Sequence, residues 1–191
     1  MGDMNKNCNN EITSDNYSTN ITSSESKSAL AVCLANIPDI QQLPDITVNS
    51  THGTFNLATL NGNYTLLYFY PKDLTPGCTT QAQDFRDLNA DFEQLNVKIY
   101  GVSRDPLKRH EKFIDKERIP FALISDVDEI LCRQFDVIKS KNMYGKQVQG
   151  IERSTFLFNT NGQLIQSWRK VRAAGHAQKV LDYLQDYIRH L

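Results

Sequence analysis

Apolar and polar residues follow different rhythms along this chain, and the changes between them mark out its elements. Up to about residue 28 there is no rhythm, because Asn, Ser and Thr dominate and apolar residues are scattered. Such a segment buries too little apolar surface to offset its ordering entropy, so disorder is expected there. Residues 28–42 read as a short helix or an extended lead-in. Together, residues 1–43 form an expected disordered or weakly structured amino-terminal extension, followed by one domain over 44–191.

From Pro44 the pattern becomes regular. Residues 46–48 and 54–57 are short strand-like pieces, followed by a turn at Asn61-Gly62. Residues 64–70 are almost continuously aromatic and β-rich, as in a strand covered on both faces, and the run stops at Pro71. Ala82, Phe85, Leu88, Phe92 and Leu95 then recur every three or four positions, which predicts one amphipathic helix over 78–95. Residues 97–103 and 121–125 return to strand composition. Between them, Asp105-Pro106 reads as a helix start with an Asp cap and Pro in the first helical position. The segment from Asp126 to Glu129 resembles a capping box that opens a helix carrying Cys132. Residues 153–158 and 164–171 form two strands around an Asn161-Gly162 hairpin signal. Val180, Leu181, Leu184, Tyr187, Ile188 and Leu191 line one side of a terminal helix. Strands alternating with helices, closed by a hairpin and a helix, predict an α/β domain with a mixed β-sheet flanked by helices.

Composition narrows the function classes. A chain of 191 residues, 40% hydrophobic, suits one sizeable core and leaves little room for two. A formal net charge of -1 gives no electrostatic reason to expect a nucleic acid or an anionic membrane as partner. No apolar run approaches the roughly 18 residues of a membrane span. The basic cluster over 108–116 is interrupted by acids and reads as a solvated helix face. The first 28 residues lack arginine and fit neither a secretory signal nor a transit peptide, so a cytoplasmic protein is expected. A monomer or weak dimer is the expected oligomeric state. Cys8, Cys33, Cys78 and Cys132 form no C-x-x-C pair and have no zinc-like spacing with the histidines. No metal and no cofactor is therefore expected, and scattered thiols suit a reducing compartment.

The chemistry concentrates in Pro71-Lys-Asp-Leu-Thr75-Pro76-Gly77-Cys78, which puts a thiol where a buried strand gives way to a helix. The unpaired N–H groups and positive dipole end of a helix favour the thiolate, which is the nucleophilic form. Displacement by such a thiolate also needs donors for the charge shed by the breaking bond. Thr75 offers a hydroxyl, Gly77 permits close backbone approach, Pro76 stiffens the loop and Pro71 ends the strand.

At these residues the sequence resembles the peroxiredoxins, which share Pro-x-x-x-Thr-x-x-Cys, here Pro71, Thr75 and Cys78. Residues 68–79 resemble in particular the bacterioferritin comigratory protein, or peroxiredoxin Q, branch. Further similarity lies at Gly101-Val-Ser, Leu123-Ile-Ser-Asp-Val-Asp, Gly150-Ile-Glu-Arg-Ser-Thr-Phe and Gly175-His176. The resemblance implies a thioredoxin-like fold and a thiol-dependent peroxidase acting on hydrogen peroxide and organic hydroperoxides, with an antioxidant role in cell redox homeostasis. It implies that Cys78 is the peroxidatic thiol, that Thr75 hydrogen-bonds it and the peroxide, and that Arg153 supports the thiolate and the transition state. Pro71 and Gly77 would shape the substrate site. Gln81 is either a residue that orients Arg153 or an exposed polar position of the helix.

Reaction with peroxide leaves a sulfenic acid, which is recycled by a thiol. The resemblance implies a thioredoxin-type protein or a small thiol as the reductant. Many relatives carry the resolving cysteine five residues after the peroxidatic one, where this chain has Gln83. Cys132 is a candidate resolving thiol, although its apolar neighbours suit a packing role equally well. Cys33, Cys8 and an external thiol are the other candidates. His176 reads as a helix cap or surface residue, and Trp168 and the aromatics of 68–70 as core or pocket wall. Two other readings are a thioredoxin-like disulfide oxidoreductase, disfavoured by Thr75 at the spacing of its second cysteine, and a non-catalytic thioredoxin-fold binding module.

Overall fold

The computed structural model describes residues 40–143 and 146–191, so the extension up to residue 39, with Cys8 and Cys33, lies outside the described residues. Residues 40–43 already belong to the packed domain. Ile40 and Leu43 are buried, Leu43 N–H donates to the Gly162 carbonyl at 2.8 Å, and Leu164 N–H donates to the Gln41 carbonyl at 2.8 Å.

Among the described residues, seven strands form one mixed sheet: β1 (Thr47–Ser50), β2 (Gly53–Asn56), β3 (Tyr64–Phe69), β4 (Val97–Ser103), β5 (Ala122–Ser125), β8 (Ser154–Phe158) and β9 (Leu164–Trp168), in the order β2-β1-β5-β4-β3-β8-β9. Strands β3, β4 and β5 run parallel, while β8 pairs antiparallel with β3 and sets Phe69 opposite Ser154. A separate antiparallel ribbon, β6 (Ile138–Met143) with β7 (Lys146–Ile151), precedes β8. The hydrophobic pattern does not announce this ribbon, because Lys139, Ser140, Gln147 and Gln149 give it little apolar alternation and backbone pairing carries it.

Alternation along β3 divides the core in two. Leu66, Tyr68 and Tyr70 face one side, and Leu67 and Phe69 face the other. The first side is covered by α1 (Pro76–Asp87), α2 (Asn89–Gln94), α3 (Leu107–Glu117) and α5 (His176–Arg189), which contribute Phe85, Phe92, Phe113 and Leu181 among others. The second is covered by α4 (Ile130–Gln134) with Leu131, by Phe135 just after it and by the β1–β2 hairpin. Each fully buried Phe or Leu contributes about 1.5–3 kcal/mol of transfer free energy. Gly101 of β4 allows one tight contact. A Cβ there would lie 2.7 Å from Tyr68 Oη and 2.6 Å from Leu123 Cδ2.

Several boundaries differ from the sequence expectation. The helix expected over 78–95 is two helices, since the backbone leaves helical geometry at Leu88 (φ -99°, ψ 7°). Asp105 does not cap α3; Pro106 holds the cap position, and the Asp105 carboxylate is committed to the loop after β3. No capping box opens α4. Glu129 takes a left-handed conformation and pairs with Arg104 and Arg133, while Asp126 reaches over it to accept Leu131 N–H at 3.0 Å and Cys132 N–H at 2.7 Å. Strand β9 ends at Trp168 rather than at residue 171, and Leu191 is exposed beyond α5. Along the basic stretch on α3, Lys108, Lys112 and Lys116 are exposed, Arg109 is half-buried and His110 is fully buried.

Candidate active site

The site is assembled by sheet register. Strand β3 ends beside the start of β8, so the loop after β3 and Arg153, just before β8, meet at one end of these two interior strands. The loop turns through Leu74, and Thr75 in an extended conformation (φ -91°, ψ 147°) caps α1 with Pro76 in the first turn. Cys78 thus occupies the third helical position, where helix geometry leaves the N–H groups of Gly77 and Cys78 without intrahelical acceptors. Cys78 is only 2% exposed and belongs to the first core cluster with Tyr68, Tyr70 and Ala82.

Arg153 crosses from β8 to meet it. Its Nη2 donates to Cys78 Sγ at 3.3 Å and its Nη1 donates to Gln81 Oε1 at 2.5 Å. Gln81, one turn beyond Cys78, is fully buried, so it holds the guanidinium and is not an exposed polar position. Its Nε2 has no hydrogen-bond partner among the described residues. Gly77 lies beside the guanidinium, but a Cβ there would make only an ordinary contact with Arg153 Nη2 at 3.5 Å, so the approach does not require glycine. Pro71, Ile151, Arg153, Lys139, Lys170 and Val171 line a cleft of about 730 Å³.

The remaining expected residues sit differently. The Thr75 hydroxyl donates to the Lys72 carbonyl at 2.9 Å, so in this structure it ties the loop together rather than bonding Cys78. Cys132 is not brought to Cys78. It belongs to the core cluster on the other side of the sheet, with no exposure, and burial followed by its hydrogen bond with Asp126 pushes its thiol far above the usual cysteine range. His176 is neither a helix cap nor a surface residue. Its Nε2 lies 2.9 Å from Thr155 Oγ1, its ring packs edge-on to Phe85 and Trp168, and burial lowers its pKa to about 4. Trp168 packs against this cluster as wall, and Tyr68 stacks between Tyr70 and Phe85. Burial above all, with Asp73 and Cys78 nearby, raises the Tyr68 hydroxyl well above its ordinary range, so it stays neutral.

Sequence reasoning missed the residues that anchor the loop. Asp73 is fully buried and bonds Tyr70 Oη at 2.7 Å and His110 Nδ1 at 2.8 Å, while its N–H donates to Asp105 Oδ2 at 2.8 Å. A signal for His110 exists in the three-residue spacing of Leu107, His110 and Phe113, which puts it on the apolar face of α3. Among the described residues no cluster of His, Cys, Asp and Glu could hold a metal, and no helix is long and apolar enough to cross a membrane.

A mixed sheet presenting a thiol at a helix start, under a guanidinium held by a buried amide, defines a thiol-reactive enzyme of thioredoxin-like architecture. Residues 40–167 match the AhpC/TSA family model. The chain is 54% identical over 142 residues to peroxiredoxin Bcp of Xanthomonas campestris, covering 74% of this chain and 89% of that protein. It is 47% identical over 147 residues to peroxiredoxin Bcp of Bacillus subtilis, covering 76% of this chain and 94% of that one. Among solved structures, one of the Xanthomonas campestris bacterioferritin comigratory protein, studied for its alkyl peroxide reduction activity, superposes with a TM-score of 0.73 at 50% identity, over 78% of this chain and 98% of that one. The chain belongs to the AhpC/TSA family, as a peroxiredoxin of the Bcp and Q branch. It is a thiol-dependent peroxidase.

Proposed function

We propose that peroxide reduction by this chain takes place at Cys78, with Arg153 as the group that stabilises the reacting sulfur and Gln81 as the residue that holds Arg153 in place. The observation that carries this reading is the 3.3 Å contact from Arg153 Nη2 to Cys78 Sγ at the first turn of α1. The thiolate attacks one peroxide oxygen, an S–O bond forms, and the O–O bond breaks with its electron pair going to the departing oxygen. That oxygen leaves as water or an alcohol after taking a proton, and Cys78 is left as the sulfenic acid. The guanidinium and the free N–H groups of Gly77 and Cys78 face the charge that moves in this step. The Thr75 hydroxyl, which donates to Lys72 while keeping its lone pairs available, completes the donor and acceptor set when a peroxide is bound.

The cleft beside Pro71 and Arg153 has room for the organic part of a hydroperoxide, which supports organic substrates as well as hydrogen peroxide. Resolution comes from outside the described domain, because Cys132 is buried on the far side of the sheet. Cys33, Cys8 or an external thiol condenses with the sulfenic acid, releasing water and forming a disulfide, and a thioredoxin-type protein or a small thiol then reduces it. This cycle suits an antioxidant enzyme of a reducing compartment such as the cytoplasm. Stopped-flow loss of hydrogen peroxide by the wild type and by Cys78→Ser tests the assignment. Rapid consumption by the first and none by the second is expected, and equal rates would overturn it. An unreactive wild type would favour a non-catalytic binding module.

A further inference from the structure

We propose that Asp73 and His110, with Tyr70, Asp105 and Arg109, form a buried clamp that positions the Pro71–Cys78 loop for reaction with peroxide. The inference rests on the reading of Cys78 as the peroxidatic thiol; the hydrogen bond to the sulfur comes from Arg153, and the clamp residues act on the loop that carries it. They are positioning residues, not catalytic ones.

Every polar atom of Asp73 is engaged. Its N–H donates to Asp105 Oδ2 at 2.8 Å, and its carbonyl accepts Arg109 Nη2 at 3.0 Å. Its Oδ1 accepts Tyr70 Oη at 2.7 Å, and its Oδ2 faces His110 Nδ1 at 2.8 Å. His110 is committed on its other side as well, with Nε2 at 3.2 Å from the Ile124 carbonyl. That carbonyl can only accept, so Nε2 is the donor on that side and Nδ1 faces the Asp73 carboxylate. Asp105 is fixed in turn by the Ser103 hydroxyl at 3.0 Å and by an ion pair with Arg109 Nε at 3.1 Å. The loop is thereby tied to the end of β3, to the segment after β4, to α3 and to β5.

Asp73 and His110 both have no solvent exposure. A buried ionisable pair is a costly way to fill space that apolar side chains would fill more cheaply, so its use here fits a need for one defined geometry. The next residue shows that the geometry is imposed. Leu74 adopts φ +62°, a left-handed conformation unfavourable for a bulky side chain, while its side chain is 36% exposed. Asp73 is fixed on one side and Thr75 caps α1 on the other, so Leu74 alone absorbs the reversal of the chain. That reversal sets the start of α1, and with it the placing of Cys78 under Arg153. A displacement of about 1 Å at a reacting group can cost on the order of 100-fold in rate.

The test compares Asp73→Ala, His110→Leu and the double variant with Asp73→Asn. An asparagine can still accept from Tyr70 and donate to a neutral His110, so it keeps the bonds without the charge. For each variant the second-order rate constant with hydrogen peroxide is measured by stopped flow, at a temperature where circular dichroism shows it folded. Alkylation of Cys78 by iodoacetamide is measured in parallel, since it needs the thiolate but no peroxide geometry. Each single disruption is expected to slow peroxide reaction at least 10-fold with alkylation within about 3-fold of wild type. The double variant should be no slower than the slower single one, and Asp73→Asn should recover most of the rate. Unchanged peroxide rates, or peroxide and alkylation rates falling together, would overturn the clamp while leaving Cys78 in its role. A wild type that alkylates normally but ignores hydrogen peroxide would instead sink the assignment of Cys78 itself. Where the disruptive variants fail to fold, Tyr70→Phe removes one bond of the clamp and is read by the same pair of rates.

Discussion

Replacing Arg153 with methionine, which fills a similar volume without charge, removes two interactions with different consequences. The first is the 3.3 Å contact to Cys78 Sγ, a hydrogen bond to the group that the proposed reaction uses in its charged form. Bonds of that kind are worth about 1.5–3 kcal/mol. Loss of that amount in the transition state corresponds to a rate constant for peroxide lower by about 10- to 100-fold. The second is the 2.5 Å bond to Gln81 Oε1. Gln81 is fully buried and its Nε2 already lacks a partner among the described residues, so the variant leaves the whole amide unsatisfied. An orphaned buried polar group costs about 1–3 kcal/mol, which should appear as lost stability in a urea melt. Combining Arg153→Met with Gln81→Met removes that orphan, so the double variant should regain stability but not rate. Stopped-flow fluorescence of Trp168 or direct peroxide loss gives the rate, and denaturation gives the stability. A peroxide rate within 3-fold of wild type would refute the reasoning, as would a double variant that recovers activity.

Four further outcomes are expected. Cys132→Ala should leave the reaction of Cys78 with peroxide unchanged, and mass spectrometry after one equivalent of peroxide should find no Cys78–Cys132 disulfide in the wild type, because the two thiols belong to different core clusters. Gly101→Ala should destabilise the fold by about 1–3 kcal/mol in chemical denaturation, since the added Cβ would press on Tyr68 and Leu123, both buried on every side. His176 has a folded pKa of about 4 against 6.5 for the free side chain, so the unfolded chain binds the extra proton between those values and stability falls as pH drops from about 6.5 to about 4. The loss is at most about 3 kcal/mol, and His176→Gln should flatten this part of the stability–pH curve. Asp126→Ala should cost about 1–2 kcal/mol in the same denaturation assay, because it frees the amides of Leu131 and Cys132 at the start of α4.

Much of this protein is legible in local pattern. The aromatic run ending at Pro71 is buried strand β3, the stretch 97–103 is β4 residue for residue, and the Asn161-Gly162 signal is the turn between β8 and β9. Period-two and period-three-to-four repeats report burial directly, because a strand or helix can turn only certain positions inward. The thiol at the start of α1 is legible for the same reason, since a helix start is a local event and Pro76-Gly77-Cys78 announces it.

The sequence by itself therefore determines most of the elements and puts a thiol, Cys78, at a helix start. It does not determine what surrounds that thiol. Arg153 lies 75 residues away along the chain and reaches Cys78 only because β8 pairs with β3 in one register. Asp73 meets His110 only once α3 packs beside the loop, and Cys132 is separated from Cys78 only once the sheet stands between them. Charge contacts of this kind carry no periodicity, so no local pattern encodes them. They depend on which strands become neighbours, and that is settled by the packing of the whole domain.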